Sequence, residues 1–260
     1  MENTVRPIVY VDSVNYNYLR VKERLKNDFE VFYASNTKEL FSILTWLTPG
    51  IILIDISKQH DIGFEIIQKM KADLRYNKIP IIIFSLEDHE KIIIEAVGLG
   101  AANFLVKPFT DKELIACLEC QLDANRRDSL KPIILAVDDN PTILKVVNQI
   151  LSSQYKVYTL NKPEELDDFI ERIKPDLFLL DYNMPLMDGS QVLEKLRNNL
   201  SFSNTPIIFL TSEGKEGRII DVLKMGANDY ILKPINESLL RKKIATRMIP
   251  IMMNRKNKFF

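Results

Sequence analysis

Four polar residues recur in register in the two halves of this sequence. A shift of 126 positions, without a gap, places Asp12, Asp55, Ser85 and Lys107 on Asp138, Asp181, Thr211 and Lys233. An internal repeat of this length predicts two copies of one domain. Polar residues that recur in register indicate that each copy is built around one site.

The second set has the residue types of a phosphoryl-transfer site. Asp138, Asp139 and Asp181 repel one another when they are brought together, and Lys233 supplies only one compensating charge. The sequence therefore implies a hard divalent ion, Mg²⁺ or Mn²⁺, held by carboxylates, a backbone carbonyl and water. With Lys233 and the Thr211 hydroxyl, such a metal would hold three phosphoryl oxygens. Asp181 would then be the nucleophile that accepts the phosphoryl group.

Short apolar runs alternate with longer segments of helical period, which predicts β-α units and a parallel sheet with five strands and five helices in each copy. The predicted strands are 8–11, 31–34, 51–54, 81–84 and 103–106 in the first copy and 133–137, 156–159, 177–180, 207–210 and 229–232 in the second. Each recurring polar residue lies at the carboxyl end of a predicted strand. In an open parallel sheet that edge binds ligands.

The composition sets the boundaries of the interpretation. The 260 residues predict two domains, 1–125 and 131–255, joined by the charged segment 123–132, whose form as a tether or a helix end stays open. The 35 basic and 35 acidic residues balance, which argues against nucleic-acid binding. No run approaches the roughly 20 apolar residues that cross a bilayer, so we expect no membrane partner and a cytoplasmic protein.

Cysteine, histidine and proline give three local expectations. Cys117 and Cys120 lie one helical turn apart in a stretch of apolar period, so a buried helix is favoured over a zinc or redox site. His60 and His89 are expected to be isolated residues of surface loops. Pro250 is expected to interrupt the last helix after about Met248.

The motifs together resemble the receiver domain of two-component response regulators. They are VDDN at 137–140, LLDYNMPLMDG at 179–189, FLTS at 209–212 and DYILKP at 229–234. The resemblance covers nearly the whole chain. It implies an α/β fold of two tandem flavodoxin-like domains, each of five βα units with a parallel sheet in the order 2-1-3-4-5.

The resemblance also implies a role for each motif residue. Asp181 corresponds to the phospho-acceptor, Asp139 to the direct Mg²⁺ ligand, and Asp138 to an acid that holds the water shell of the metal. The backbone carbonyl of Asn183 corresponds to a further metal contact. Asn183 and Glu213 correspond to the positions that tune how quickly the acyl phosphate is lost.

Three further positions correspond to the signalling response. Thr211 and Lys233 match the pair that engages the phosphoryl oxygens, and Tyr230 matches the aromatic switch that turns inward when the threonine hydroxyl moves. The Lys233-Pro234 peptide bond is expected to be cis, as it is in receivers.

The first copy departs from this pattern. Ser13 stands where the second copy has the metal ligand Asp139, and Leu86 stands where a small residue admits the phosphoryl group. The degenerate site retains Asp12, Asp55, Ser85 and Lys107. The first domain is therefore interpreted as a pseudo-receiver kept for packing, dimerisation or partner binding.

The preferred hypothesis is a response regulator that is phosphorylated on Asp181 by a histidine kinase or a phosphotransfer protein. It would signal through contacts with a downstream protein target, without enzymatic activity beyond its own phosphorylation and dephosphorylation. The apolar run 248–253 is compatible with a homodimer interface or with the root of a linker to a missing output domain, such as a diguanylate cyclase.

Two other hypotheses stay open at this point. One is a scaffold that is never phosphorylated. The other is an aspartate-nucleophile phosphatase of the haloacid dehalogenase type, in which an aspartate follows the nucleophile by two residues, whereas this sequence has Asn183 there.

Overall fold

Two open parallel β-sheets form the framework of the chain. A computed structural model describes residues 7–58, 60–86, 89–185, 187–212 and 216–259. Each sheet has five strands, and the chain divides into two compact units, the second of which spans Leu130–Met252. Among the described residues, no helix is both long and apolar enough to span a lipid bilayer.

The N-terminal half alternates strands and helices from its first strand onward. Its strands are β1 Pro7–Val11, β2 Glu30–Ala34, β3 Ile51–Asp55, β4 Ile81–Leu86 and β5 Asn103–Lys107. Its helices are α1 Asn15–Leu25, α2 Thr37–Ile43, α3 His60–Ala72, α4 Glu90–Gly98 and α5 Asp111–Leu122. The strands are parallel in the order β2-β1-β3-β4-β5. Every residue of the central strand β3 is buried, as expected of a strand covered on both faces.

The C-terminal half repeats this arrangement. Its strands are β6 Ile133–Val137, β7 Lys156–Leu160, β8 Leu177–Asp181, β9 Ile207–Thr211 and β10 Asp229–Leu232. Its helices are α7 Pro141–Leu151, α8 Leu166–Arg172, α9 Gly189–Asn198, α10 Glu216–Lys224 and α11 Glu237–Phe259, and a 3-10 turn over Pro163–Glu165 precedes α8. The parallel order β7-β6-β8-β9-β10 corresponds to 2-1-3-4-5 within this half, so the predicted fold class is confirmed in both copies.

The junction is neither of the two forms that the sequence left open. Helix α5 ends at Leu122, and Asp123 has extended backbone angles (φ −91°, ψ 109°). A separate short helix, α6 Ala124–Leu130, then leads to β6.

The last helix corrects one expectation. Pro250 lies inside α11 instead of ending it. A proline in a helix removes one backbone hydrogen bond, but packing on both sides of it can hold the helix together. Met248 is buried in the core cluster next to β6 and β8, and Ile251 and Met252 pack against the same cluster. Tertiary contacts thus override the local signal.

The two cysteines lie in a helix, as the apolar period of their segment predicted. Both belong to α5, and Cys117 is buried.

Candidate functional site

Three carboxylates meet at the carboxyl edge of the C-terminal sheet. Asp138 and Asp139 follow β6, and Asp181 is the last residue of β8, which pairs directly with β6. One oxygen from each of the three lies within 4.8 Å of the others. Asp138 and Asp181 are buried, whereas Asp139 is exposed. Within the described part of the chain, this is the one group of three or more potential metal ligands.

Lys233 is the cation that faces this cluster. Its Nζ lies 2.7 Å from Asp138 Oδ2 and 2.9 Å from Asp181 Oδ1. Burial acts to lower the pKa of Lys233, but the two carboxylates together raise it above its ordinary value, so the amine stays protonated. One ammonium group therefore pairs with two of the three carboxylates, and the site keeps an excess of negative charge.

Burial, with a smaller contribution from neighbouring charge, changes the acidity of Asp181. Burial raises the pKa of the Asp181 carboxyl above its ordinary value, and the charge of Asp138 adds to this effect. The ion pair with Lys233 and the hydrogen bond from the Tyr182 N–H, 2.8 Å from Oδ1, oppose the shift without cancelling it. The group is thus less stable as an anion than an ordinary aspartate, which favours any ligand that brings positive charge.

The remaining motif residues of the second half lie on β9 and β10 or directly after β8 and β10. Thr211 ends β9 and is buried, and its carbonyl accepts a hydrogen bond from the Lys233 N–H at 2.8 Å. Asn183 is exposed two residues after Asp181. Tyr230 is partly buried on β10, with Lys243 Nζ 4.9 Å from its ring centroid. The Lys233-Pro234 peptide bond is cis, as predicted. Glu213 lies outside the described residues.

A glycine that the sequence analysis did not single out fixes the loop after Asp181. Gly189 begins α9, and its N–H donates to the Tyr182 carbonyl at 2.9 Å. A methyl group added there would lie 2.3 Å from the Asp181 carbonyl oxygen and 2.6 Å from a ring carbon of Phe209. Only glycine allows this approach. The Asp-Gly pair at 188–189 within the LLDYNMPLMDG motif was the available signal.

The acidic site of the N-terminal half has different contacts. Asp12 and Asp55 again lie at the ends of β1 and β3, but the Tyr10 hydroxyl lies between them, 3.0 Å from Asp12 Oδ2 and 3.3 Å from Asp55 Oδ2. Lys107 forms a very short ion pair with Asp55 Oδ2 and lies 3.3 Å from Ser57 Oγ. The retained residues are thus brought together, with protein donors between them.

Tyr10 and Asn17 were missed by the sequence analysis. Asn17 Nδ2 donates to Asp12 Oδ2 at 2.8 Å. Burial, with Asp55 and Asp12 close by, raises the pKa of Tyr10, so its hydroxyl keeps the proton and donates. The signal was present in the repeat, because the shift of 126 positions places these polar residues on Ala136 and Ile143.

Two neighbouring positions at the end of β4, Ser85 and Leu86, also differ from their counterparts in the C-terminal half. Ser85 is fully buried, and its hydroxyl lies 3.4 Å from the Leu86 carbonyl oxygen. Leu86 is 39% exposed beside it. Phe104, which corresponds to Tyr230, is fully buried.

The expectation of two isolated histidines is wrong. The His60 and His89 rings lie 5.2 Å apart, centroid to centroid, in a T-shaped arrangement. His60 Nδ1 is 2.5 Å from the Ile56 carbonyl oxygen. The residues are far apart in sequence, but one begins α3 and the other precedes α4. These two helices follow neighbouring strands of the sheet, which brings their starts together.

Comparisons with known proteins agree with this architecture. The response regulator receiver domain family matches residues 8–119 and 134–245. Response regulator PleD of Caulobacter vibrioides is 24% identical over 267 residues, which cover 93% of this chain and 58% of that protein. Hybrid signal transduction histidine kinase D of Dictyostelium discoideum is 35% identical over 130 residues, which cover 50% of this chain and 8% of that protein. The chain thus spans less than two thirds of either relative.

One solved structure has a similar fold over nearly the whole chain. It belongs to a protein described as a two-component system response regulator/GGDEF domain protein. The alignment covers 94% of this chain and 98% of that chain, with a TM-score of 0.51 and 20% identity. At that identity the likeness bears on the fold alone. The family match covers both sheets and both acidic edges. The chain therefore belongs to the receiver-domain response regulators of two-component signalling, with one receiver domain in each half.

Proposed function

We propose that the C-terminal domain is the phosphoryl-accepting receiver of this chain and that Asp181 is its acceptor. The observation that carries the proposal is the state of the two Asp181 oxygens. Oδ1 has the Tyr182 N–H and Lys233 close to it. Oδ2 accepts no hydrogen bond from any residue that the structure describes. A carboxylate oxygen without a donor keeps its lone pairs for attack on phosphorus.

The donor is a phosphohistidine on a histidine kinase or a phosphotransfer protein. Asp181 Oδ2 attacks phosphorus, the bond between phosphorus and the imidazole nitrogen breaks, and the imidazole leaves with the electron pair. An acyl phosphate on Asp181 is the product. The similarity to a hybrid signal transduction histidine kinase supports this class of donor.

The acidic cluster fits a hard divalent cation, because it offers clustered carboxylate oxygens and a surplus of negative charge. Asp138, Asp139 and Asp181 would hold Mg²⁺ or Mn²⁺, with the backbone carbonyl of Asn183 as a further ligand. When bound, the metal supplies positive charge that offsets the negative charge on the phosphoryl oxygens.

The signal leaves the site through residues on the last two strands. The Thr211 hydroxyl and the Lys233 amine engage the oxygens of the bound phosphoryl group, because both lie at the same strand edge as Asp181. Movement of Thr211 lets Tyr230 turn inward on the neighbouring strand β10. The face formed by α10, β10 and α11 then changes its affinity for a downstream protein.

The N-terminal domain does not accept phosphoryl groups efficiently in this proposal. Both oxygens of Asp55 are engaged by protein donors: Oδ1 by the Ser57 N–H at 3.0 Å, and Oδ2 by Tyr10 and Lys107. Its role is packing, dimerisation or partner binding. The chain as a whole performs no catalysis beyond its own phosphorylation and dephosphorylation.

Acetyl phosphate and Mg²⁺ test the proposal on the full chain. Attack by the aspartate breaks the bond between phosphorus and the acetyl oxygen, and acetate leaves. Intact-mass spectrometry should find one added phosphoryl group on the wild type and on Asp55→Asn, and none on Asp181→Asn. Modification of Asp181→Asn to the wild-type level would overturn the assignment, and an unmodified wild type would support the scaffold hypothesis instead.

A further inference from the structure

The N-terminal acidic site contains a buried phenol at its centre. Tyr10 is 1% exposed, and its hydroxyl lies within hydrogen-bond distance of both carboxylates that remain in this half. The corresponding residue of the C-terminal half is Ala136, whose side chain has no donor and ends at the β-carbon. The two sites therefore differ at a position that the receiver motifs do not include.

Protein donors engage every carboxylate oxygen of this site. Asp12 Oδ1 accepts from the Val14 N–H at 2.9 Å, and Asp12 Oδ2 accepts from Asn17 and Tyr10. The oxygens of Asp55 accept from the Ser57 N–H, Tyr10 and Lys107. A cation that entered would have to displace these donors before it could use the oxygens as ligands.

The phenol ring is also held in place by its surroundings. Tyr10 belongs to the core cluster that includes Ile8, Leu53 and Phe84, and its ring centroid is 6.0 Å from that of Phe84. Turning the ring out of the site would leave an unfilled volume in a packed core, which is unfavourable. The hydroxyl is consequently a fixed part of the site.

We infer that Tyr10 is the residue that excludes a divalent cation from the N-terminal domain, with Asn17 as its helper. Its hydroxyl lies between Asp12 Oδ2 and Asp55 Oδ2, where it donates its one proton to one or the other and occupies the space that a cation would need. Ser13, which removes one acid, is in this view a second change that is insufficient on its own. Restoring an aspartate at position 13 leaves the existing oxygens occupied and adds unfavourable negative charge.

The test uses the full chain with Asp138→Asn and Asp139→Asn, which remove two acids from the C-terminal cluster and lower its background binding. Three variants are added to this chain: Ser13→Asp, Tyr10→Phe with Ser13→Asp, and Tyr10→Ala with Ser13→Asp. Mn²⁺ binding is counted by electron paramagnetic resonance, with Mn²⁺ alone as the probe. Both double variants should gain one Mn²⁺ with a Kd at least tenfold lower than that of Ser13→Asp alone.

Tyr10→Phe guards the test against loss of the fold, because it keeps the ring in the core and removes only the hydroxyl. Circular dichroism and Trp46 fluorescence establish that each variant is folded. If Ser13→Asp alone binds Mn²⁺ as tightly as the double variants, Ser13 and not Tyr10 is the determinant. Folded double variants that gain no Mn²⁺ would likewise overturn the inference.

Discussion

The two acidic edges of this chain satisfy their carboxylate groups to different extents. In the N-terminal half, Tyr10, Asn17 and Lys107 supply side-chain donors to two carboxylates. In the C-terminal half, Lys233 pairs with two of the three carboxylates, and more negative charge stays uncompensated. Two carboxylates and one lysine leave the N-terminal site with a surplus of one negative charge, and its carboxylate oxygens are satisfied by hydrogen bonds. Three carboxylates and one lysine leave the C-terminal site with a surplus of two, which favours a ligand that brings positive charge.

The two acidic sites differ although they lie on the same fold. Strand order, the lysine at the end of the fifth strand and the cis peptide bond that follows it are common to the two halves. The differences lie in single side chains at matching positions, such as Tyr10 and Ala136. The backbone thus brings the groups together, and the local balance of donors and acceptors decides what they can bind.

The largest contrast is expected from a methyl group at the two matching glycines. A methyl at Gly189 would meet the Asp181 backbone carbonyl at 2.3 Å, whereas one at Gly63 would meet the Ile56 side-chain methyl at 2.5 Å. A backbone atom cannot move aside without shifting the site. Gly189→Ala should therefore lower the free energy of unfolding of its half by about 3 kcal/mol, and Gly63→Ala by about 1 kcal/mol or less.

Urea unfolding can resolve the halves, because the chain has one tryptophan, Trp46, which lies in the N-terminal half against Phe32. Its fluorescence follows the first half, and far-UV circular dichroism follows both. Gly189→Ala should lower the urea midpoint of the C-terminal half, which is seen by circular dichroism but not by Trp46 fluorescence. The midpoint measured by fluorescence should stay unchanged. Equal losses for the two variants would mean that the loop after Asp181 is no more tightly built than its counterpart.

The second contrast concerns stability: Asp181→Asn and Asp55→Asn each remove one negative charge, but they should change the stability of their halves in opposite directions. Because the folded state raises the pKa of Asp181, its contribution to stability is fully present below the unfolded pKa near 3.8 and is lost as the pH rises through the folded pKa. At neutral pH the charged group is destabilising. Asp181→Asn should raise the Tm of its half by a few degrees at pH 7 in EDTA, and the gain should shrink toward pH 4.

Asp55→Asn is the matched control. Asp55 accepts from Tyr10 and Lys107 on one oxygen, and an asparagine NH₂ turned toward them would place donor against donor. Lys107 is 28% exposed at its side chain, so the loss should be modest, about 1 kcal/mol. Calorimetry at pH 7 and Trp46 fluorescence measure it. Stabilisation by both substitutions would contradict the difference in charge balance between the halves.

How far the sequence predicted these features depends on the range of the interactions. The acids of the C-terminal site could be placed because parallel strands end at one edge, which follows from the alternation of apolar runs alone. Tyr10 could not be placed in this way, since PIVYV reads as an ordinary buried strand. Its contact with Asp55 joins residues 45 positions apart, which no local pattern encodes.

The same reasoning explains the two wrong expectations. His60 begins α3 and His89 precedes α4, and their contact depends on the spacing of neighbouring strands. Pro250 has a strong local tendency to end a helix, but contacts of Met248, Ile251 and Met252 with the sheet outweigh it. Local rules fail where a tertiary contact of comparable strength opposes them.

The smallest effect on stability is expected at the aromatic position of the fifth strand. Tyr230 is partly buried, and the contact of its ring with Lys243 at 4.9 Å is open to phenylalanine as well. Tyr230→Phe, which introduces the residue type of Phe104, should therefore change the free energy of unfolding by less than about 0.5 kcal/mol.

Its effect on signalling should be larger than its effect on folding. In the wild type, phosphorylation with acetyl phosphate should alter amide hydrogen exchange in β10 and in α10, because Tyr230 moves toward Thr211. Tyr230→Phe should still be phosphorylated on Asp181. Its change in hydrogen exchange should be smaller than that of the wild type, because it lacks the hydroxyl that distinguishes Tyr230 from Phe104. An unchanged exchange response would assign the movement to Thr211 and Lys233 alone. The buried Phe104 would then reflect packing in the N-terminal half and not a lost switch.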